Sequence, residues 1–346
     1  MKKRNNPILM AWEDKRQSMR SRDMRKRVSD GGDDFPGPRR FVRTLIALLA
    51  ALVAGLDASI ANALDKPQPE AVPWNTEAIF RGATVAEDLA LPDTPETVDE
   101  LTSPRMALLK PVGAGPFPAI VLMHQCAGLN AAVAAWARAA VSRGYVVLLV
   151  DSLGPRNVKS VCFGPRNGVN FFRGARDALQ AAEHLRKQSY VDSKRVAFVG
   201  FSWGAMVGLL TASSHYVGAL KFESGFAAVA SFYPGCFRIT PKERPPFDLV
   251  NPDISRPLLV LMGDADTETP ASECIDKFDA LKRSGIPVEW HLYPGATHCW
   301  DCQQLDGFSK IDVRGHQVEY HFRQDLTDDS RRRLFEFLDR SMSARK

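Results

Sequence analysis

The string Gly200-Phe201-Ser202-Trp203-Gly204 sits where one kind of periodicity gives way to another. Upstream, Arg195-Val-Ala-Phe-Val-Gly200 reads as a short buried strand; downstream, Trp203 to Ala212 reads as a helix of small and apolar residues. A chain turning this sharply needs glycines where side chains would collide with neighbouring backbone. The turn lifts the serine hydroxyl above the sheet, at the positive end of a helix dipole. It therefore predicts both a fold of alternating strands and helices and an exposed nucleophile at a strand end.

The rest of the chain continues that alternation. Met106-Ala-Leu-Leu-Lys-Pro111 begins the sheet, and Phe117 to Met123 is a buried strand. Asn130 to Arg143 reads as a helix ended by Gly144, Tyr145 to Asp151 as a strand, and Phe171 to Gln188 as a helix. Phe226 to Tyr233 and Pro257 to Gly263 are strands, Ala271 to Ser284 a helix, and Val288 to Tyr293 a strand. Asp325 to Arg340 is a closing amphipathic helix. Strands that are apolar throughout predict an α/β fold, a mostly parallel central sheet covered by helices on both faces. With no linker or repeat after Met106, residues 105–346 read as one domain, and residues 64–104, rich in Pro, Glu, Asp and Thr, as a loose lead-in with a strand or two.

A serine hydroxyl needs a base, and the base needs an orienting carboxylate. The strand Pro257 to Gly263 ends in Asp264-Ala-Asp266-Thr-Glu268, and Asp266, just past the turn glycine, is the chosen acid. Asp264 is its rival, with a turn-capping aspartate as the alternative reading. The next strand turns at Pro294-Gly295 and delivers His298, the chosen base. His291 falls inside that strand, His184 and His215 on or after helices, and His316 and His321 in a polar stretch. Oxyanion donors are expected from the backbone N–H groups of Cys126, in the small-residue loop after Met123, and of Trp203. His124 is expected to brace that loop by hydrogen bonding. The loop Gly154 to Asn170, at the carboxyl edge where such sheets bind ligands, offers Arg156 and Arg166 as substrate-binding candidates. Trp203 and Trp300 are candidates to line an apolar pocket, with core packing as the alternative.

Four segments resemble the dienelactone hydrolase family of α/β-hydrolases: Met123-His-Gln-Cys-Ala-Gly-Leu129, Gly200-Phe-Ser-Trp-Gly204, Met262-Gly-Asp-Ala-Asp-Thr-Glu-Thr-Pro270 and Tyr293-Pro-Gly-Ala-Thr-His298. The last string is the most specific to that family, and the resemblance runs from about Met106 to Leu338. It implies the α/β-hydrolase fold, a small-molecule ester or lactone as substrate, Ser202 as nucleophile, Asp266 as acid, His298 as base, and no metal or cofactor. Two departures narrow what carries over. Dienelactone hydrolases proper use a cysteine nucleophile where this chain has Ser202. They hold the substrate carboxylate with an arginine four residues after the histidine, the position of Cys302 here. Gln125 stands where they carry a glutamate in the oxyanion loop, and it is a further substrate-binding candidate. The ester-hydrolase chemistry transfers, and the cyclic dienelactone substrate does not. A serine peptidase of the same fold is the rival within enzymes, and a non-catalytic binding protein on that fold is the rival outside them.

The net charge of +5 belongs to the first 63 residues, with 13 Lys+Arg against 7 Asp+Glu; the remainder has 32 against 33. That distribution argues against a nucleic-acid partner. Leu45 to Leu56 is an apolar run preceded by Arg39-Arg40-Phe-Val-Arg43 and followed by Ala61-Asn-Ala63. It is shorter than the roughly 20 residues of a membrane span. A basic stretch, an apolar core and a small-residue cleavage site predict a secretory leader over residues 1–63, cut after Ala63, and hence a periplasmic or secreted protein. The arginine pair admits a twin-arginine route. No stable membrane span is expected after cleavage, and a monomer or small homo-oligomer is expected. All 6 cysteines lie beyond the leader. An even count in an exported chain predicts disulfides, with Cys126–Cys162, Cys236–Cys274 and Cys299–Cys302 as the expected pairs. A metal or redox role for the Cys299/Cys302 pair is the alternative, but no second pair at zinc spacing exists.

Overall fold

Strands without a polar face must be covered on both sides, and the helices supply that cover. The computed structural model describes residues 86–240 and 245–343. The predicted leader, its cleavage site after Ala63 and most of the lead-in lie outside the described residues.

The sheet contains β1 (Ala107–Leu109), β2 (Phe117–Met123), β3 (Val146–Val150), β4 (Val191–Phe201), β5 (Val229–Phe232), β8 (Leu258–Gly263) and β9 (Val288–Tyr293), in the order β1-β3-β2-β4-β5-β8-β9. Only β1 runs antiparallel, against β3; the other pairings are parallel. Two short hairpins stand apart from it: β6 (Arg238–Ile239) with β7 (Phe247–Asp248), and β10 (Ser309–Ile311) with β11 (Gln317–Glu319).

Alternate residues of each strand feed two cores. On one face Val121, Met123, Leu148 and Val150 pack with α2 (Phe171–Arg186), α3 (Trp203–Thr211) and α5 (Ile275–Arg283). On the other, Ile120, Leu122, Val147 and Leu149 pack with α1 (Ala131–Ser142) and α6 (Gln324–Met342). The short α4 (Ser214–Ala219) follows α3. Asn130 and Asn170 cap α1 and α2, their side chains accepting from the N–H groups of Val133 and Arg173. The segment read as one helix from Ala271 is a 3-10 turn, Ala271–Glu273, before α5.

The described part of the lead-in is a strap bound to this body. Arg156 and Arg173 donate to the carbonyls of Glu87 and Ala86, Arg173 and Arg176 pair with Asp88, and Leu89 exchanges bonds with the Gln180 amide. Glu96 bridges to Leu109, and Arg138 donates to the Leu101 carbonyl. The sulfurs of Cys126 and Cys162, Cys236 and Cys274, and Cys299 and Cys302 are joined. Among the described residues no helix is long and apolar enough to cross a membrane.

Candidate active site

Ser202 alone makes the turn between β4 and α3, with φ 51° and ψ −111°. A left-handed φ at a non-glycine residue costs energy and persists only where the surroundings impose it. The two glycines show the crowding: a Cβ on Gly200 would lie 2.2 Å from the Gly204 carbonyl oxygen, and one on Gly204 would lie 2.6 Å from that of His124. The Gly204 N–H donates to the same His124 carbonyl at 3.1 Å, which ties the turn to the loop after β2.

The chain brings the serine's two expected partners to it from β8 and β9. His298 Nε2 lies 2.9 Å from Ser202 Oγ, and its Nδ1 lies 2.7 Å from Asp266 Oδ2. Asp266 Oδ1 accepts from the N–H groups of Glu268 and Thr269, both at 2.9 Å, and the Thr269 hydroxyl lies 2.8 Å from Oδ2. With the carboxylate so filled, the Nδ1–H tautomer is fixed and Nε2 presents its lone pair to the serine. Burial alone would depress the His298 pKa, but the Asp266 and Glu268 carboxylates outweigh it and hold the imidazole above its ordinary value. Asp264 does other work: it accepts from the Gly295 N–H at 2.6 Å and joins the two turns.

The amide N–H groups of Cys126 and Trp203 have no acceptor among the described residues; Trp203 directly follows the serine, and Cys126 lines the same cavity. His124 donates from Nδ1 to the Gln125 carbonyl at 2.5 Å and accepts at Nε2 from the Ser152 N–H. Its ring stacks on Trp203, and complete burial pushes its pKa down, so it braces the loop as a neutral group. Behind His298, Tyr233 packs edge-on against the imidazole and bonds through its hydroxyl to Asp301 at 2.8 Å.

A cavity of about 870 Å³ opens over Ser202, walled by Phe163, Phe171, Phe172, Trp203, Met206 and Phe247 and flanked by both hairpins. Four expected substrate contacts do not line it. Arg156 is held by Asp177 at 2.7 and 2.9 Å, with its side chain buried. Arg166 is exposed on the loop and bridges to Val169 through its backbone. Gln125 is occupied by Tyr233 and Asn130. Trp300 is a core residue between Tyr233 and Tyr293, with its indole N–H on Ser330.

Glu268, named in the acidic turn but not chosen as the acid, gathers with Lys310 and Tyr320, which no sequence pattern singled out. Glu268 Oε2 lies 3.9 Å from His298 Nε2, Lys310 Nζ lies 2.7 Å from Glu268 Oε1, and the Tyr320 hydroxyl donates to Oε2 at 2.6 Å. The only signal was Glu268's place in the acidic turn, since its partners arrive from β10 and from the residue just after β11. Cys299, Asp301 and Cys302 also gather ligand-type atoms. Their sulfurs are bonded to each other and the carboxylate accepts from Trp136 and Tyr233, which leaves no donor set for an ion.

Set beside known proteins, residues 105–339 match the Dienelactone hydrolase family. Dipeptidyl-peptidase 5 of Porphyromonas endodontalis is 24% identical over 46% of this chain and 26% of its own length, so the chain spans about a quarter of that relative. A "Probable 2-oxo-3-(5-oxofuran-2-ylidene)propanoate lactonase" of Bradyrhizobium sp is 22% identical over 59% of this chain and 82% of its own. Among solved structures, the thermophilic esterase Est2 of Thermogutta terrifontis, with propionate bound, superposes at a TM-score of 0.51 and 17% identity over 70% of this chain and 91% of its own. At that identity the likeness is one of fold alone.

Proposed function

The chain belongs to the dienelactone hydrolase family, and from that premise we propose that this hydrolase is a serine enzyme cleaving carboxylic esters or lactones through an acyl-enzyme. The observation that carries the reading is the run of short contacts from Asp266 through His298 to Ser202, with the hydroxyl facing the cavity. Ser202 Oγ attacks the carbonyl carbon while His298 Nε2 takes its proton. The N–H groups of Cys126 and Trp203 receive the charge that develops on the carbonyl oxygen. The imidazolium, stabilised by Asp266, returns the proton to the departing alcohol. A water then repeats the sequence on the acyl-enzyme and frees the acid.

The lactonase relative supports a cyclic ester, the peptidase relative a peptide bond at the same site. The proposed organisation is a secretory leader over residues 1–63, a lead-in over 64–104 and the catalytic domain over 105–346. The three disulfides support an exported, periplasmic or secreted enzyme.

The test is Ser202→Ala on the purified protein with p-nitrophenyl butyrate. Loss approaching about 10⁶-fold in kcat, with circular dichroism unchanged, supports the assignment. A fluorophosphonate should label Ser202 and no other residue. Activity retained by Ser202→Ala overturns the reading, and faster cleavage of the matching p-nitroanilide would move it to a peptidase.

A further inference from the structure

The charges lining the cavity distinguish between the substrates that ester chemistry would allow. Its walls near Ser202 are aromatic and aliphatic, and among the described residues its lining cations each face a carboxylate. Lys310 lies 2.7 Å from Glu268, Arg314 lies 2.7 Å from Glu273, and Arg238 lies 3.6 Å from Asp248. Glu268 is different in what it faces. One of its oxygens holds Lys310; the other points to His298 Nε2 at 3.9 Å, on the ring edge that also meets Ser202. The hydroxyl of Tyr320 fixes that second oxygen. Asp266 occupies the opposite edge of the imidazole, so Glu268 is the carboxylate a bound substrate meets beside the reacting atoms.

We propose that Glu268 is a specificity-determining residue that makes this site take uncharged, apolar esters and reject esters carrying a carboxylate of their own. The inference rests on the ester-hydrolase reading above. A substrate carboxylate entering this cavity loses water to aromatic walls and meets the Glu268 carboxylate, while each lining cation among the described residues already faces a carboxylate, Lys310 that of Glu268 itself. Two like charges about 7 Å apart, at an effective dielectric of about 20, discriminate by roughly tenfold to fiftyfold. An uncharged ester of the same length meets no such opposition and gains from burial against Phe171, Trp203 and Phe247.

The experiment compares kcat/KM for p-nitrophenyl valerate with that for mono-p-nitrophenyl glutarate, the same chain length ending in a carboxylate. It uses the purified full chain and its Glu268→Gln and Lys310→Met variants. The wild type should prefer the valerate by more than about tenfold. Glu268→Gln leaves Lys310 unmatched and should narrow the preference by about tenfold, whereas Lys310→Met leaves Glu268 unmatched and should widen it. Packing damage would move both variants in one direction, so opposite signs are the signature. An unchanged preference in Glu268→Gln, or shifts of the same sign in both, overturns the proposal. A wild type that cleaves neither ester and takes no fluorophosphonate at Ser202 overturns the esterase reading, and the proposal falls with it.

Discussion

Asp177 and Asp266 are both buried carboxylates that accept four hydrogen bonds, yet they are set up for opposite ends. Asp177, on α2, receives Arg156 at 2.7 and 2.9 Å and Arg173 at 2.5 and 2.8 Å. Asp266 receives two backbone N–H groups, a threonine hydroxyl and an imidazole. Guanidinium groups do not give up protons in proteins, so the Asp177 cluster can only hold shape. Imidazole does, so the Asp266 cluster can move a proton while its geometry stays fixed. What separates a brace from a relay here is the donor's chemistry, since burial and satisfaction are alike.

That contrast can be broken by exchange. Asp266→Asn should lower kcat on the order of 10⁴-fold, because the amide favours the wrong tautomer of His298, with little change in the urea midpoint. Asp177→Asn should do the reverse: about 3–5 kcal/mol of stability lost with two buried guanidinium groups undercompensated, and kcat of the folded fraction nearly kept. If both variants lose activity alike, the distinction between brace and relay fails. A covalent brace extends the comparison. Replacing Cys236 and Cys274 by serine opens a link between residues 38 apart and should cost about 2–4 kcal/mol in chemical denaturation.

Smaller effects sharpen the picture of the relay. On the proposed mechanism His298 must be neutral to accept the serine proton, so activity should be lost as pH falls through its raised pKa. Asp266 and Glu268 raise that pKa while Lys310 opposes them; Glu268→Gln should therefore move the acid limb of the kcat/KM profile to lower pH. A limb that stays in place, or moves up, would separate Glu268 from the imidazole. Asp264→Asn should change kcat least, within about tenfold, since Asp264 only joins the turns through the Gly295 N–H.

The elbow and the two turns were legible in sequence because each is a local arrangement. Gly200 and Gly204 flank a residue forced into a left-handed φ, and Asp266 and His298 each follow an apolar strand by a few residues. The cavity was not legible. Glu268 meets Lys310 and Tyr320 across 42 and 52 residues, from a hairpin of strands three residues long whose alternation carries almost no signal. Arg156 misled for a related reason. A loop arginine at the ligand-binding edge reads as available until the fold brings Asp177, 21 residues on, against it. Trp300 misled in the same way: lying two residues past His298 in sequence, it turns into the opposite core and bonds Ser330 on α6.

The strap of residues ahead of β1 bears on where this protein could be cut. The stretch recognisable by family likeness starts at residue 105, but Asp88 and the carbonyls of Ala86, Glu87, Pro92 and Leu101 serve side chains well inside it. A fragment beginning at 105 would strip Arg138, Arg156, Arg173 and Arg176 of acceptors and uncover apolar surface that Leu89 and Leu101 now shield. We therefore expect the unit able to fold to be longer than the inheritable unit, and a truncation series should find the boundary of soluble expression upstream of residue 105.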